Sequence, residues 1–258
     1  MTIPGTATML REDWMGSASA SRATSRPTGV RRGDVAGPGT NTATGGTCSL
    51  GAALNAAGTR LYVAGGALAL GCPVVGTSNV TVFTLTASDD VAGPGAVVPM
   101  PAGTIGAEQL ALNPANTRLY VTQTTSGTLA VLPLNGAGDV AGAATSAPTG
   151  GANPRGVTVS PSGTRLYVAN ELSSNVTVFP LAASGDLAGA GTLVPLPAPA
   201  TGPFDLRTNP AGTRLYVTTG QTATTVFPLT GTGDVAGPGT TVPLPAGAGI
   251  PNNLFVRP

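Results

Sequence analysis

Histidine is absent from this sequence, and so is lysine; all 12 basic residues are arginine. Without histidine the chain lacks the commonest general base and metal-binding side chain near neutral pH. A hydrolytic triad built on histidine is thereby excluded. Two cysteines cannot, without histidine, complete a zinc site of nitrogen and sulfur ligands. Charged residues amount to 9% and the formal net charge is +1. No basic field is available to steer a polyanion, so nucleic acid is not an expected partner. No apolar run reaches the roughly 18 residues of a membrane span. No stretch shows a 3.6-residue period, which excludes helical repeats.

What is present repeats. The stretch Gly163-Thr164-Arg165-Leu166-Tyr167-Val168 recurs at Gly58 to Val63, Asn116 to Val121 and Gly212 to Val217. All four tyrosines lie in these copies. Their threonines, Thr59, Thr117, Thr164 and Thr213, are spaced by 58, 47 and 49 residues. A second marker, Asp-(Val/Leu)-Ala-Gly, begins at Asp34, Asp90, Asp139, Asp186 and Asp234. The longer first interval comes from an enlarged loop between Val63 and Asn79. Glycine and proline recur at fixed repeat positions, which reads as ordered turns.

One unit, residues 155 to 200, shows the plan. Alternating apolar and polar residues predict strands over Gly156–Ser160, Arg165–Ala169, Asn175–Phe179 and Thr192–Leu196. Pro161-Ser162-Gly163 and Ser184-Gly185-Asp186 supply turns between them. Pro195 makes the fourth strand an edge. Four short antiparallel strands every 47 to 49 residues describe a propeller blade, which must stack on neighbours to bury both faces.

The run Pro-Ser-Gly-Thr-Arg-Leu-Tyr-Val-Ala-Asn, followed by Ser-Asn-Val-Thr-Val-Phe, resembles the bacterial Tyr-Val-Thr-Asn propeller repeats. It is also similar to lactonase-like seven-bladed propellers, and Asn153 to Val157 matches their inner strand. The resemblance covers roughly residues 45 to 258. The expected fold is an all-β propeller of four-stranded blades, with complete units near 48–98, 106–149, 153–198 and 202–245. Asn253 to Arg257 reads as the inner strand of a further unit, and Thr28 to Thr40 as the outer part of one. Joined, they would make a composite closing blade, for about five in all. The other arrangement is a piece of a larger ring. Residues 1–27 read as a disordered leader and 28–258 as the propeller.

Repeat comparison also points to a face. The loops entering strand one and those joining strands two and three share one side, the top. Equivalent positions at the strand-one entry are Leu50, Glu108, Arg155, Phe204 and Asn252, then Gly51, Gln109, Gly156, Asp205 and Asn253. These columns vary while the bottom turns repeat nearly verbatim, so the top face is where each unit can act individually. The candidate ligand-binding residues are Glu108, Arg155, Asp205, Asn252 and Asn253, with Glu171, Asn170 and Gln123 beside them. As ordinary loop residues, Arg155 and Asp205 would make at most a weak surface pair. Cys48 and Cys72 fall on the same face, where a disulfide would pin the enlarged loop and point to an oxidising compartment.

Two functions are compatible with these residues. One is a non-enzymatic scaffold, secreted or at the cell surface, that binds a protein or a glycan through its top face; a cytoplasmic location is the alternative. The other is the lactonase-like hydrolase that the resemblance allows. That enzyme would rely on carboxylates, and Glu108, Glu171 and Asp205 are the acids outside the leader and the marker turns. Should they converge, a divalent cation such as Ca²⁺ could sit among them; otherwise no cofactor is expected. Arg32-Gly33-Asp34 spells an adhesion tripeptide, yet its Gly-Asp is the turn chemistry of the marker. Arg60, Arg118, Arg165 and Arg214 recur at one strand position, which predicts a structural role between blades.

Overall fold

The computed structural model describes residues 42–44, 48–66, 78–221, 223–245, 247–249 and 254. Among them are sixteen strands and no helix. The first blade holds β1 (Ser49–Leu54), β2 (Arg60–Gly65), β3 (Asn79–Thr84) and β4 (Ala96–Pro99). The second holds β5 (Ala107–Leu112), β6 (Arg118–Gln123), β7 (Thr128–Pro133) and β8 (Thr145–Pro148). The third holds β9 (Pro154–Val159), β10 (Arg165–Asn170), β11 (Asn175–Pro180) and β12 (Thr192–Pro195). The fourth holds β13 (Pro203–Thr208), β14 (Arg214–Thr219), β15 (Ala223–Pro228) and β16 (Thr240–Pro243). Each blade is a four-stranded antiparallel sheet with strands in sequence order. The leader and most of the terminal segments assigned to a closing blade lie outside the described residues.

Alternation along a strand normally leaves one face for solvent, yet Leu166, Tyr167 and Val168 are all fully buried. Stacking explains it. Tyr62, Val80 and Val82 of the first blade pack on Leu119, Val121 and Leu132 of the second. Tyr120, Leu129 and Val131 meet Leu166, Val168 and Phe179 of the third. Tyr167, Val176 and Val178 meet Leu215, Val217 and Phe227 of the fourth. The tyrosine face of each of the first three blades thus covers the Leu/Val face of the next. Each such side chain contributes about 1.5–3 kcal/mol when removed from water.

The bottom turns add a polar latch. Arg60, Arg118 and Arg165 each grip the marker aspartate of the following blade, Asp139, Asp186 and Asp234, with Nε–Oδ1 distances of 2.7 Å in all three. Nη2 completes each two-pronged pair. The neighbouring tyrosine hydroxyls, Tyr62, Tyr120 and Tyr167, donate to the carbonyls of Gly138, Gly185 and Gly233 beside those aspartates. These glycines have positive φ, and a Cβ on them would strike the incoming arginine and tyrosine. Arg60, Arg118 and Arg165 are therefore inter-blade fasteners, whereas the Arg214 guanidinium donates only to the Thr213 carbonyl among the described residues. The near-verbatim repetition of the bottom turns is what a repeated fastener requires.

Candidate functional site on the top face

The first strands β1, β5, β9 and β13 lie side by side in blade order. Each departs from regular pairing at the same place, between Ser49 and Ala52, Ala107 and Leu110, Pro154 and Val157, and Pro203 and Leu206. The irregularity falls on the two variable columns. A bulge there frees two residues from the ladder and re-aims their side chains. In the second and fourth blades a threonine of the adjoining strand occupies the gap. Gln109 N–H donates to Thr122 Oγ1, and Asp205 N–H donates to Thr218 Oγ1. Thr122 Oγ1 also donates to the Arg155 carbonyl at 2.7 Å, tying the second blade to the third. Gly156 lets these strands approach, since a Cβ there would lie 2.7 Å from the Phe204 carbonyl oxygen.

At this level three of the candidates converge. Arg155 Nη1 donates to Glu108 Oε1 at 2.8 Å, and its Nε donates to Glu171 Oε2. Glu108 is almost wholly buried, and its Oε2 accepts from Thr124 Oγ1 at 2.7 Å. Asn153 Nδ2 donates to Glu171 Oε2 from the entering loop. The Phe204 ring lies under the guanidinium, 5.0 Å from Cζ to centroid, a cation–π arrangement. Burial opposes the Arg155 charge, but Glu108 and Glu171 outweigh it and raise the pKa, so the guanidinium is firmly cationic. Two carboxylates against one guanidinium leave the cluster with one net negative charge. Arg155 Nη2 has no hydrogen bond among the described residues. The arginine and Glu171 side chains are 27% and 19% exposed, so the cluster opens to solvent on their side.

The other candidates sit differently. Asp205 does not pair with Arg155. Its Oδ1 accepts from Arg207 Nη1 and Leu206 N–H, and its Oδ2 accepts from Leu254 N–H. Asn170 turns into its own blade, donating to Asn175 Oδ1 and Thr177 Oγ1. Gln123 is fully buried at the end of β6, with neither amide atom partnered among the described residues. Asn252 and Asn253 lie outside the described residues. So does Cys72, the expected partner of Cys48; there is no free cysteine among the described residues.

A divalent cation does not fit this arrangement. Both oxygens of Glu108 and both of Asp205 already accept hydrogen bonds, and the Glu171 oxygen facing the cluster accepts two. Among the described residues no three acids gather as an oxygen cage. Glu108 and Glu171 converge on an arginine, Arg155, whereas Asp205 pairs with Arg207. Thr124, Asn153 and Phe204 were not among the sequence candidates. Phe204 was visible in the variable column; Thr124 and Asn153 carried no distinguishing signal.

Comparisons with known proteins agree with the architecture. The chain matches the model of the family described as lactonase, 7-bladed beta-propeller, over residues 76–204. That span contains Glu108, Arg155, Glu171 and Phe204. No curated protein matches the chain. Similar solved structures include a functionally unknown protein from Desulfotomaculum acetoxidans (15% identity, TM-score 0.58, 73% of this chain and 54% of that one). Another is a putative 6-phosphogluconolactonase from Bacteroides uniformis (16%, TM-score 0.58, 75% and 56%). A third is the periplasmic gluconolactonase of Pseudomonas aeruginosa (19%, TM-score 0.60, 77% and 58%). The chain spans a little over half the length of these structures. Four stacked blades, inter-blade latches and a family match across half of the sequence lead to one conclusion: this chain belongs to the seven-bladed lactonase family of β-propellers.

Proposed function

We propose that the chain is a lactonase-like hydrolase that opens a sugar-acid lactone at the Glu108–Arg155–Glu171 cluster. The observation carrying this reading is that the family match runs through all three residues, and that they converge although they stand on two blades. It is favoured over the binding scaffold because the family is named for lactone hydrolysis. Two of the similar structures also carry lactonase names.

Lactone opening needs a base for water and a donor for the oxyanion. With no histidine, a carboxylate must be the base. Glu171 is the more open of the two acids, with 19% of its side chain exposed against 8% for Glu108. In the proposed step, a water oxygen attacks the carbonyl carbon and its proton passes to Glu171. The carbonyl oxygen becomes an oxyanion beside Arg155 Nη2, the guanidinium nitrogen left without a partner. The ring C–O bond then breaks and Glu171 returns the proton to the departing oxygen, giving the hydroxy acid. Glu108 and Phe204 hold the guanidinium in place, and the Phe204 ring offers an apolar wall. Hydrolysis of gluconolactone and 6-phosphogluconolactone, followed by acid release at constant pH, tests this. The wild type should exceed the spontaneous rate, and Glu171→Gln should lose about 10²–10⁴-fold. Hydrolysis at the spontaneous rate with saturable glycan binding would return the scaffold reading instead.

A further inference from the structure

Where the strand-one entry meets the loop between strands two and three, the second, third and fourth blades close with the same backbone bond. Thr124 N–H donates to the Gly106 carbonyl, Glu171 N–H to the Asn153 carbonyl, and Gly220 N–H to the Gly202 carbonyl. The residue supplying the carbonyl is left-handed each time, with φ of +91° at Gly106, +57° at Asn153 and +62° at Gly202. Glycine is the ordinary answer to such a backbone. In the second blade nothing else would fit, since a Cβ on Gly106 would lie 2.8 Å from Thr125 N. In the fourth blade glycine is used although a side chain has room: the atom nearest a would-be Cβ on Gly202 is 3.7 Å away. The third blade departs from this pattern. Asparagine enters the left-handed region more readily than most side chains, yet less readily than glycine. A side chain kept against that preference points to a task that glycine could not perform.

The contacts of Asn153 show the task. Its carbonyl holds the Glu171 backbone, and its Nδ2 donates to Glu171 Oε2, the oxygen that also accepts from Arg155 Nε. The loop that carries it is tied to the loop that carries Glu171 a second time, because Ala152 N–H donates to Ser173 Oγ. Two donors therefore meet on Oε2, while among the described residues Oε1 accepts no hydrogen bond. One donor would leave the carboxylate free to swing about it; two fix its direction. We infer that Asn153 is a positioning residue for the reaction: it holds Glu171 by Oε2, so that Oε1 is the oxygen that takes the proton from the attacking water. This rests on the hydrolase reading given above. The step itself is unchanged, with the proton passing from water to Oε1 and returning to the departing ring oxygen. Asn153 touches neither water nor lactone and acts through Glu171 alone.

Asn153→Gly in the full chain tests this, because glycine keeps the backbone and removes only the amide. Its melting midpoint should stay close to that of the wild type. Its kcat for gluconolactone should fall about 10–100-fold with KM unchanged, as expected when a base loses a hydrogen bond that orients it. Asn153→Asp also suits the left-handed backbone but sets a second carboxylate against Glu171, and should lose at least as much. An Asn153→Gly variant with the kcat of the wild type would overturn the inference and leave the hydrolase reading in place. So would a raised KM with kcat intact, which is the mark of a substrate-binding group. A midpoint many degrees lower would make Asn153 structural and overturn it as well. A wild type that opens the lactone only at the spontaneous rate would defeat the hydrolase reading, and this role with it.

Discussion

Replacing Gly185 by alanine separates the latch from the ordinary cost of a strained turn. Gly185 has φ +86°, where an L side chain costs about 1–2 kcal/mol. Its new Cβ would also lie 2.6 Å from Asn113 Nδ2, 2.9 Å from Arg118 Cγ and 3.2 Å from Tyr120 Oη. Relief requires moving the second blade's strand end away from the third blade's turn. That breaks the exposed Arg118–Asp186 pair, worth about 0.2–1 kcal/mol. It also breaks the Tyr120 bond to the Gly185 carbonyl, worth about 1 kcal/mol. The total is about 2–4 kcal/mol. Gly103 is the control: φ is +79° and nothing lies within 4 Å of its would-be Cβ. Gly103→Ala should therefore cost only the backbone contribution. Denaturant unfolding of both variants reads the difference directly. Equal losses for Gly103→Ala and Gly185→Ala would refute the latch as a stabilising device.

Other consequences follow from the same contacts. Arg155→Ala strands the buried Glu108 carboxylate, so it should destabilise by about 3–5 kcal/mol in denaturant unfolding. Arg155→Lys keeps the charge but not the fork, and should cost less. Asp139, Asp186 and Asp234 are held below the usual carboxylate range by their arginine hydrogen bonds. Depressed folded-state values make this stabilisation complete above about pH 4 and lost as pH falls through them. Thermal midpoints should thus be level from about pH 5 to 8, where no histidine titrates, and drop in acid. Burial pushes the Tyr62 hydroxyl up to about 12, and raises Tyr120 and Tyr167 as well. Raised values give stabilisation that is complete below about pH 10 and lost as pH climbs through them, so alkaline unfolding should follow.

The blades were legible in the sequence because each repeat carries its own strand alternation and turn residues. Arg165 to Asn170 and Asn175 to Pro180 are strands close to the boundaries that the pattern implies. The latch was half legible. Recurrence of Arg165 marked it as structural, but its partner Asp234 lies 69 residues on, in another blade. The site was legible as a face and not as a set of contacts. Variation between repeats picked out Glu108 and Arg155, which are 47 residues apart; only the strand bulges and blade stacking aim them at each other. Asn170 donates within its own blade, to Asn175 and Thr177, and a strand-end amide that does so has the same sequence appearance as one facing a ligand. Asp205 pairs with Arg207, two residues away on the same strand, a partner that repeat-to-repeat variation does not reveal.

The most direct measurement is the rate of lactone opening by the wild type beside Glu171→Gln, both shown by melting to be folded. The account predicts saturable hydrolysis of a sugar-acid lactone by the wild type, and near-complete loss in the variant with the fold intact. A folded wild type that leaves every such lactone at its spontaneous rate, or a Glu171→Gln variant as active as the wild type, would contradict it.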